Sequence, residues 1–146
     1  MKKPRAYQAI LLGGAAGSFV TEADLDLRLT FEDVRAAGVT LGSGVVMVFD
    51  DTVDLVDILL RIAAFFRDES CGQCVPCRVG TVRQEEAIRR LATERPRGSH
   101  DQEMALLGEI AQVMRDASIC GLGQTAANAV QSAIARLGVF GGAVTA

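Results

Sequence analysis

The pattern of hydrophobic and polar positions changes near residue 50. Before it, short apolar runs alternate with glycine-rich turns. The apolar runs predict strands at residues 8–12 and 45–49. A short helix is predicted at residues 30–38, with Thr30 as its N-cap. After residue 50, apolar side chains recur every three or four positions, which is the spacing of amphipathic helices.

Four helices joined by short connections are predicted in this second part, at residues 52–67, 76–93, 101–116 and 125–137. Thr52 is expected to cap the first of them, and Pro76 suits the first turn of the second. Helices with short connections favour a compact antiparallel bundle. The predicted fold is therefore mainly α, with a four-helix bundle over residues 51–146 that is preceded by a small, partial α/β unit over residues 1–50.

The composition predicts an aliphatic core and argues against a membrane-spanning or nucleic-acid-binding protein. The chain has 146 residues, of which 49% are hydrophobic and only 5% aromatic, so its core is expected to be aliphatic. No apolar run reaches the length of a membrane span. The net charge of −3 argues against a nucleic-acid partner, because such binders usually carry a basic face. No secretory signal is recognised, and a cytoplasmic location is expected.

The cysteines are the candidate metal-binding residues of the chain. Cys71, Cys74 and Cys77 have the spacing C-x2-C-x2-C, and Cys120 is the fourth and last cysteine of the chain. Iron–sulfur clusters take four thiolates, and this spacing is a recurrent way to place three of them around one cluster. The sequence therefore predicts one [4Fe–4S] site and an electron-transfer role.

The cysteines also allow two other interpretations. Zinc accepts four thiolates as well, so a tetrathiolate zinc site stays an alternative. A disulfide framework is disfavoured, since the first three cysteines are too close in sequence to join distant parts of a fold. Elsewhere, the glycine-rich segment 13–18 fits a plain turn better than a phosphate-binding loop. The oppositely charged pairs formed by residues 85–86 and 89–90 are expected on a solvated helix face.

The helix order predicts where the thiolates meet. The loop with Cys71, Cys74 and Cys77 joins the first two helices, and the loop with Cys120 joins the last two. In an antiparallel bundle both loops can lie at the same end, where two helix N-termini would present unpaired amides to an anionic cluster. Arg78 would either add positive charge there or lie in solvent on the first turn of the second helix.

Two motifs resemble a known family. They are ESCGQCVPCRVGT at residues 69–81 and SICGLGQTA at residues 118–126. Both are similar to the C-terminal part of the NADH-binding flavoprotein subunit of respiratory complex I, whose relatives occur in NAD-linked formate dehydrogenases and NAD-reducing hydrogenases. Residues 13–17 resemble the glycine-rich turn of that family's small β-grasp-like (SLBB-like) domain, and residues 37–48 resemble the segment leading into its helical domain.

The resemblance implies a [4Fe–4S] cluster held by Cys71, Cys74, Cys77 and Cys120. It gives no FMN or NADH site on this chain, because the family's flavin-binding half has no counterpart in this sequence. The expected partners are a flavin- and NAD(H)-binding subunit and further iron–sulfur subunits, at the cytoplasmic side of a membrane-attached complex or free in the cytoplasm. The chain is then an electron relay of an NAD(P)-linked oxidoreductase that is inactive alone. The alternatives are a zinc-stabilised docking module and a non-catalytic truncated remnant.

Overall fold

The computed structural model describes residues 6–141, which divide into two compact units. Residues 6–55 and 128–141 form one, here called the sheet unit, and residues 56–127 form the other, here called the helical unit. The chain is mostly helical with one small sheet, which confirms the predicted mainly α class. The bundle geometry, the β-grasp likeness and the division at residue 50 stay predictions.

The described residues contain three strands and six α-helices. The strands are β1 (Tyr7–Leu12), β2 (Ser18–Val20) and β3 (Val46–Asp50). The helices are α1 (Phe31–Ala36), α2 (Leu55–Glu69), α3 (Val75–Ala92), α4 (His100–Ala117), α5 (Gly121–Thr125) and α6 (Asn128–Leu137). No helix in this part of the chain is both long and apolar enough to cross a membrane.

The sheet is antiparallel in the order β2-β1-β3. In its register Ile10 pairs with Val20 on one side and with Val48 on the other. Strand β2 is not among the predicted elements, because three residues directly after a glycine-rich turn are too few to give an alternating pattern. It forms through its pairing with β1.

The core of the sheet unit contains aromatic side chains as well as the aliphatic ones that its composition predicts, because Phe19 and Phe49 are both buried with their ring centroids 5.9 Å apart. A separate buried cluster is aliphatic and consists of Leu12, Val20, Val34 and Val39. Helix α6 is tied to β2, since the amide of Phe19 donates to the hydroxyl of Ser132 at 2.8 Å. The guanidinium of Arg136 pairs with Asp24 at 3.1 Å and donates to the carbonyl of Ala37 at 2.6 Å.

The helix predicted at residues 125–137 is observed as α6, which begins three residues later, at Asn128. It follows the short helix α5, which ends at Thr125 and which the sequence pattern does not predict. The side-chain amide of Asn128 donates to the carbonyl of Ala16 at 3.1 Å, a contact within the sheet unit. This contact accompanies the break between α5 and α6.

The glycine-rich segment is a turn. Gly13 adopts a φ of 89°, which a residue with a side chain rarely adopts. Its amide donates to the carbonyl of Val45 at 2.8 Å, and its carbonyl accepts from the amide of Ser43 at 3.1 Å. These bonds use the backbone of Gly13 to join two segments of the sheet unit.

The two predicted helix caps have different outcomes. Thr30 caps α1, and its hydroxyl accepts from the amide of Asp33 at 3.1 Å. Thr52 does not cap α2, which begins three residues later at Leu55. The amide of Thr52 instead donates to Asp50 at 3.0 Å, which closes a turn before the helix.

In the helical unit, the charged pairs of α3 do not all lie on the solvated face that the sequence predicts. Glu85 is buried on α3 and pairs with Arg67 of α2 as well as with Arg89. Arg90 reaches Glu103 of α4, whose side chain is fully buried, at 2.6 Å. The charged residues of α3 therefore bind neighbouring helices as well as facing solvent, so the expectation of a solvated face is wrong for Glu85 and Arg90.

Candidate metal centre

The loop between α2 and α3 carries three cysteines in different environments. Cys71 is exposed, Cys74 is half-buried at the N-cap of α3, and Cys77 is buried in the first turn of that helix. Between the first two lies Gly72, with a φ of 81°. A Cβ atom there would come within 2.4 Å of the guanidinium of Arg78, so the positive charge of Arg78 lies directly against this loop.

Cys77 is enclosed by hydroxyl groups. The Ser70 Oγ atom lies 3.3 Å from the Cys77 sulfur, and Ser70 itself is 5% exposed. The hydroxyl of Thr81 donates to the Cys77 carbonyl at 2.9 Å. Backbone and side chain of this cysteine are thus both fixed within α3 and the turn before it.

Cys74 connects the two cysteine loops. The pKa of its thiol is lowered, chiefly by the backbone N–H of Ile119 and then by that of Cys77, against the opposing effect of burial. The hydroxyl of Ser118 adds to the lowering. Ile119 precedes Cys120, so the amide that favours the Cys74 thiolate belongs to the loop that carries the fourth cysteine. Thiolates, not thiols, bind metals.

The second loop begins α5. Cys120 is exposed at the N-cap of that helix, and neither Cys120 nor Cys74 caps its helix through its side chain. The loop packs closely against α3 at Gly123. A Cβ atom at Gly123 would lie 2.3 Å from the Ser118 Oγ atom and 2.9 Å from the Cys77 Cβ atom. Only glycine lets the two loops come this close.

Two glutamines fix the second loop, and sequence reasoning missed both. The fully buried Gln84 of α3 donates to the carbonyl of Ala126 at 2.9 Å. Gln124 donates to the carbonyl of Ser118 at 2.9 Å. A signal existed for the first of them, because residues 77, 81, 84 and 88 share one face of a helix at the expected spacing.

The residues present fit a four-thiolate cluster in their chemistry and in the proximity of their loops. All four cysteines are free, and the two loops touch through Cys74, Cys77 and the segment 118–123. Within residues 6–141, however, no three potential ligand side chains already converge on one point. The exposed thiols of Cys71 and Cys120 must turn toward the buried pair to complete a ligand set.

Residues 57–138 match the family described as the NADH-ubiquinone oxidoreductase-F iron-sulfur binding region. The chain belongs to this family. The match covers more than half of the chain and includes all four cysteines. Membership implies a [4Fe–4S] cluster and confirms the resemblance given by the cysteine motifs.

Curated relatives agree with this membership. The F subunit of NADH-quinone oxidoreductase from Mycobacterium tuberculosis (strain ATCC 25618 / H37Rv) is 39% identical over 84% of this chain and 27% of its own length. The HndC subunit of the NADP-reducing hydrogenase from Solidesulfovibrio fructosivorans is 31% identical over 88% of this chain and 26% of its own. The chain thus spans about a quarter of the length of these members. The expected kinship with formate dehydrogenases stays a prediction.

A solved structure supports the fold of this iron–sulfur region. It is a crystal structure of an NAD+-reducing [NiFe]-hydrogenase in the H2-reduced state, with a TM-score of 0.79 and 33% identity. The alignment covers 92% of this chain and 22% of the hydrogenase chain. Both described units of this chain therefore have counterparts in a relative of known structure.

Proposed function

We propose that this chain is the iron–sulfur relay of a multi-subunit NAD(P)-linked oxidoreductase, with Cys71, Cys74, Cys77 and Cys120 as the ligands of one [4Fe–4S] cluster. The observation that carries the proposal is the contact between the loops. The thiol of Cys74 lies against the amide of Ile119, the residue before Cys120. A cluster bound there accepts and passes single electrons.

The chain's own groups support this role. The Ile119 and Cys77 amides favour the thiolate of Cys74, as a ligand requires. Cys74 and Cys120 are the N-cap residues of α3 and α5. The unpaired backbone amides in the first turns of these helices favour negative charge near the sulfurs. Arg78 adds a positive charge at Gly72. These features would stabilise an anionic cluster and tune its reduction potential.

The test is metal content after anaerobic purification or reconstitution. We expect a brown protein with about four iron and four sulfide ions per chain and an EPR signal on reduction. Cys120→Ser should lose the cluster, as should each substitution of Cys71, Cys74 or Cys77. Val75→Ser is the matched control, because it places a serine at an exposed position in the same loop. A colourless protein with one zinc ion would favour the docking-module alternative instead.

The flavin is proposed to come from a partner chain. The curated relatives are named as subunits, and this chain covers about a quarter of their length. We expect the isolated chain to bind neither FMN nor NADH and to lack dehydrogenase activity, because its glycine-rich segment 13–18 matches no nucleotide-binding motif. Further iron–sulfur subunits would accept the electrons, at a site in the cytoplasm or on the cytoplasmic face of a membrane-attached complex. Saturable binding of FMN or NADH in equilibrium dialysis would contradict the relay-only role.

A further inference from the structure

Two buried hydroxyl groups lie near Cys77. The first belongs to Ser70, whose Oγ atom is 3.3 Å from the Cys77 sulfur. Either atom can donate while Cys77 carries its proton. Once Cys77 is a metal-bound thiolate it has no proton to give, so Ser70 must be the donor.

The second hydroxyl belongs to Ser118 and lacks a partner. Ser118 is 5% exposed, and its Oγ atom has no hydrogen-bond partner among the described residues. It lies next to the Cα atom of Gly123, at the point where the Cys77 Cβ atom also approaches. A buried hydroxyl without a partner is costly, so its retention here needs a reason.

We propose that Ser70 and Ser118 are hydroxyl donors to sulfur atoms of the bound cluster, Ser70 to the sulfur of Cys77 and Ser118 to a sulfur on the side of Gly123, and that they make the cluster easier to reduce. The inference rests on the proposed function. A hydrogen bond to sulfur stabilises the reduced, more negative state more than the oxidised state, which raises the reduction potential. The two serines are positioning residues of the ligand set.

The first experiment measures the reduction potential. The full chain, reconstituted anaerobically with ferrous iron and sulfide, is titrated under EPR detection, as are Ser70→Ala, Ser118→Ala and the double variant. Each single substitution should shift the midpoint to a more negative value, and the double variant should shift it further. Thr81→Val is the matched control, because the hydroxyl of Thr81 is fully buried and donates to the Cys77 carbonyl. It should leave the midpoint close to that of the unsubstituted chain.

A second measurement tests whether the serines act only through the fold. Removing an unpartnered buried hydroxyl should leave the metal-free protein equally stable or more stable. We therefore expect Ser118→Ala to keep or raise the melting temperature of the metal-free chain while it lowers the reduction potential of the loaded chain. A lowered melting temperature of the metal-free variant would mean that the hydroxyl has a structural role, and the inference would be overturned.

A third measurement reports on the hydrogen bonds themselves. The Fe–S stretching bands of cysteinyl ligands, recorded by resonance Raman spectroscopy, should change less on transfer to D2O in the double variant than in the unsubstituted chain. Equal isotope shifts and equal midpoints in chains with full iron content would overturn the inference and leave the proposed function standing. Absence of iron from the unsubstituted chain would instead overturn the proposed function.

Discussion

The two units of the chain bury different kinds of side chain. The helical unit buries six polar or charged residues: Ser70, Thr81, Gln84, Glu85, Glu103 and Ser118. Within the described part of the sheet unit, Ser18 is the one buried polar residue. Both units leave large apolar side chains exposed, such as Val48 at 66% in the sheet unit and Ile119 at 67% in the helical unit.

The larger number of buried polar residues in the helical unit indicates that its segments are held in defined positions. Buried polar groups need partners in defined directions, so they fix the positions of the segments that they join. In the helical unit these segments include both cysteine loops, through Ser70 and Gln84. Apolar burial is non-directional and gives no such precision. The helical unit thus has the interior of a positioned site, whereas the interior of the sheet unit is held mainly by apolar packing.

The largest expected effect on stability comes from the removal of a buried charge from the helical unit. Glu103 is fully buried, pairs with Arg90 and accepts from the amide of Arg97. Glu103→Ala should lower the free energy of unfolding by about 3 kcal/mol, because among the described residues it leaves the largely buried Arg90 with only the more distant carboxylate of Glu86, 3.9 Å away. Chemical denaturation measures the loss.

The matched control is Glu86→Ala. Glu86 lies on α3 and pairs with Arg83, but its side chain is 41% exposed. Its loss should cost about 0.5 kcal/mol or less, as for other solvent-exposed ion pairs. Equal losses for the two variants would mean that burial does not set the strength of these contacts.

The same carboxylate predicts a pH dependence. The pKa of Glu103 is lowered in the folded chain, chiefly by its hydrogen bonds to Arg90. A lowered pKa stabilises the fold above the unfolded value of about 4.3, and this contribution is lost as the pH falls through the folded value. The stability gap between the unsubstituted chain and Glu103→Ala should therefore be full at neutral pH and shrink in acid. A gap that stays constant down to acidic pH would contradict the assignment.

Much of this architecture could be predicted from the sequence, because it depends on local signals. The helix over residues 76–93 follows from its apolar spacing and from Pro76, and the observed α3 begins one residue earlier. The N-cap at Thr30 follows from residue type alone. The spacing of the four cysteines predicts a cluster site, and the family match supports the presence of a cluster.

The rest could not be predicted, because it depends on contacts between distant residues. Glu85 looks like half of a solvated pair until Arg67 of another helix is placed beside it. Strand β2 exists through its pairing with β1. The break between α5 and α6 comes with contacts such as that of Asn128 with Ala16, more than a hundred residues away in the chain. No local pattern encodes these contacts.

The next prediction tests how tightly the cysteine loops are packed. Gly123→Ala should destabilise the chain by about 1–3 kcal/mol, because a Cβ atom there would overlap the Ser118 hydroxyl and press on Cys77. Gly121→Ala is the matched control on the same short helix, since a Cβ atom at that position meets nothing within 4 Å. It should be neutral or slightly stabilising. Thermal unfolding of the two variants measures the difference, and similar melting temperatures would count against close packing of the loops.

A smaller effect is expected from one helix cap in each unit. The hydroxyl of Ser99 caps α4 in the helical unit, and that of Thr30 caps α1 in the sheet unit. Ser99→Ala and Thr30→Ala should each cost about 1 kcal/mol. If the chain unfolds in one transition, both substitutions shift it equally in calorimetry. Two transitions, each moved by only one of the substitutions, would show that the units unfold separately and would sharpen the comparison.

The last prediction has the smallest effect on stability and concerns the open surface of the sheet unit. Strand β3 is at the edge of the sheet, and Val46, Met47 and Val48 are all at least 40% exposed. Exposed apolar edge strands promote association between chains, and an inward or edge lysine is a common means of preventing it. Val48→Lys should change the free energy of unfolding by about 0.5 kcal/mol or less while it reduces self-association. Ala23→Lys adds the same charge at an exposed position of the same unit and controls for net charge. Light scattering across a concentration series measures the outcome. If both lysines reduce association equally, charge alone is responsible, and the apolar edge strand has no special part in the association.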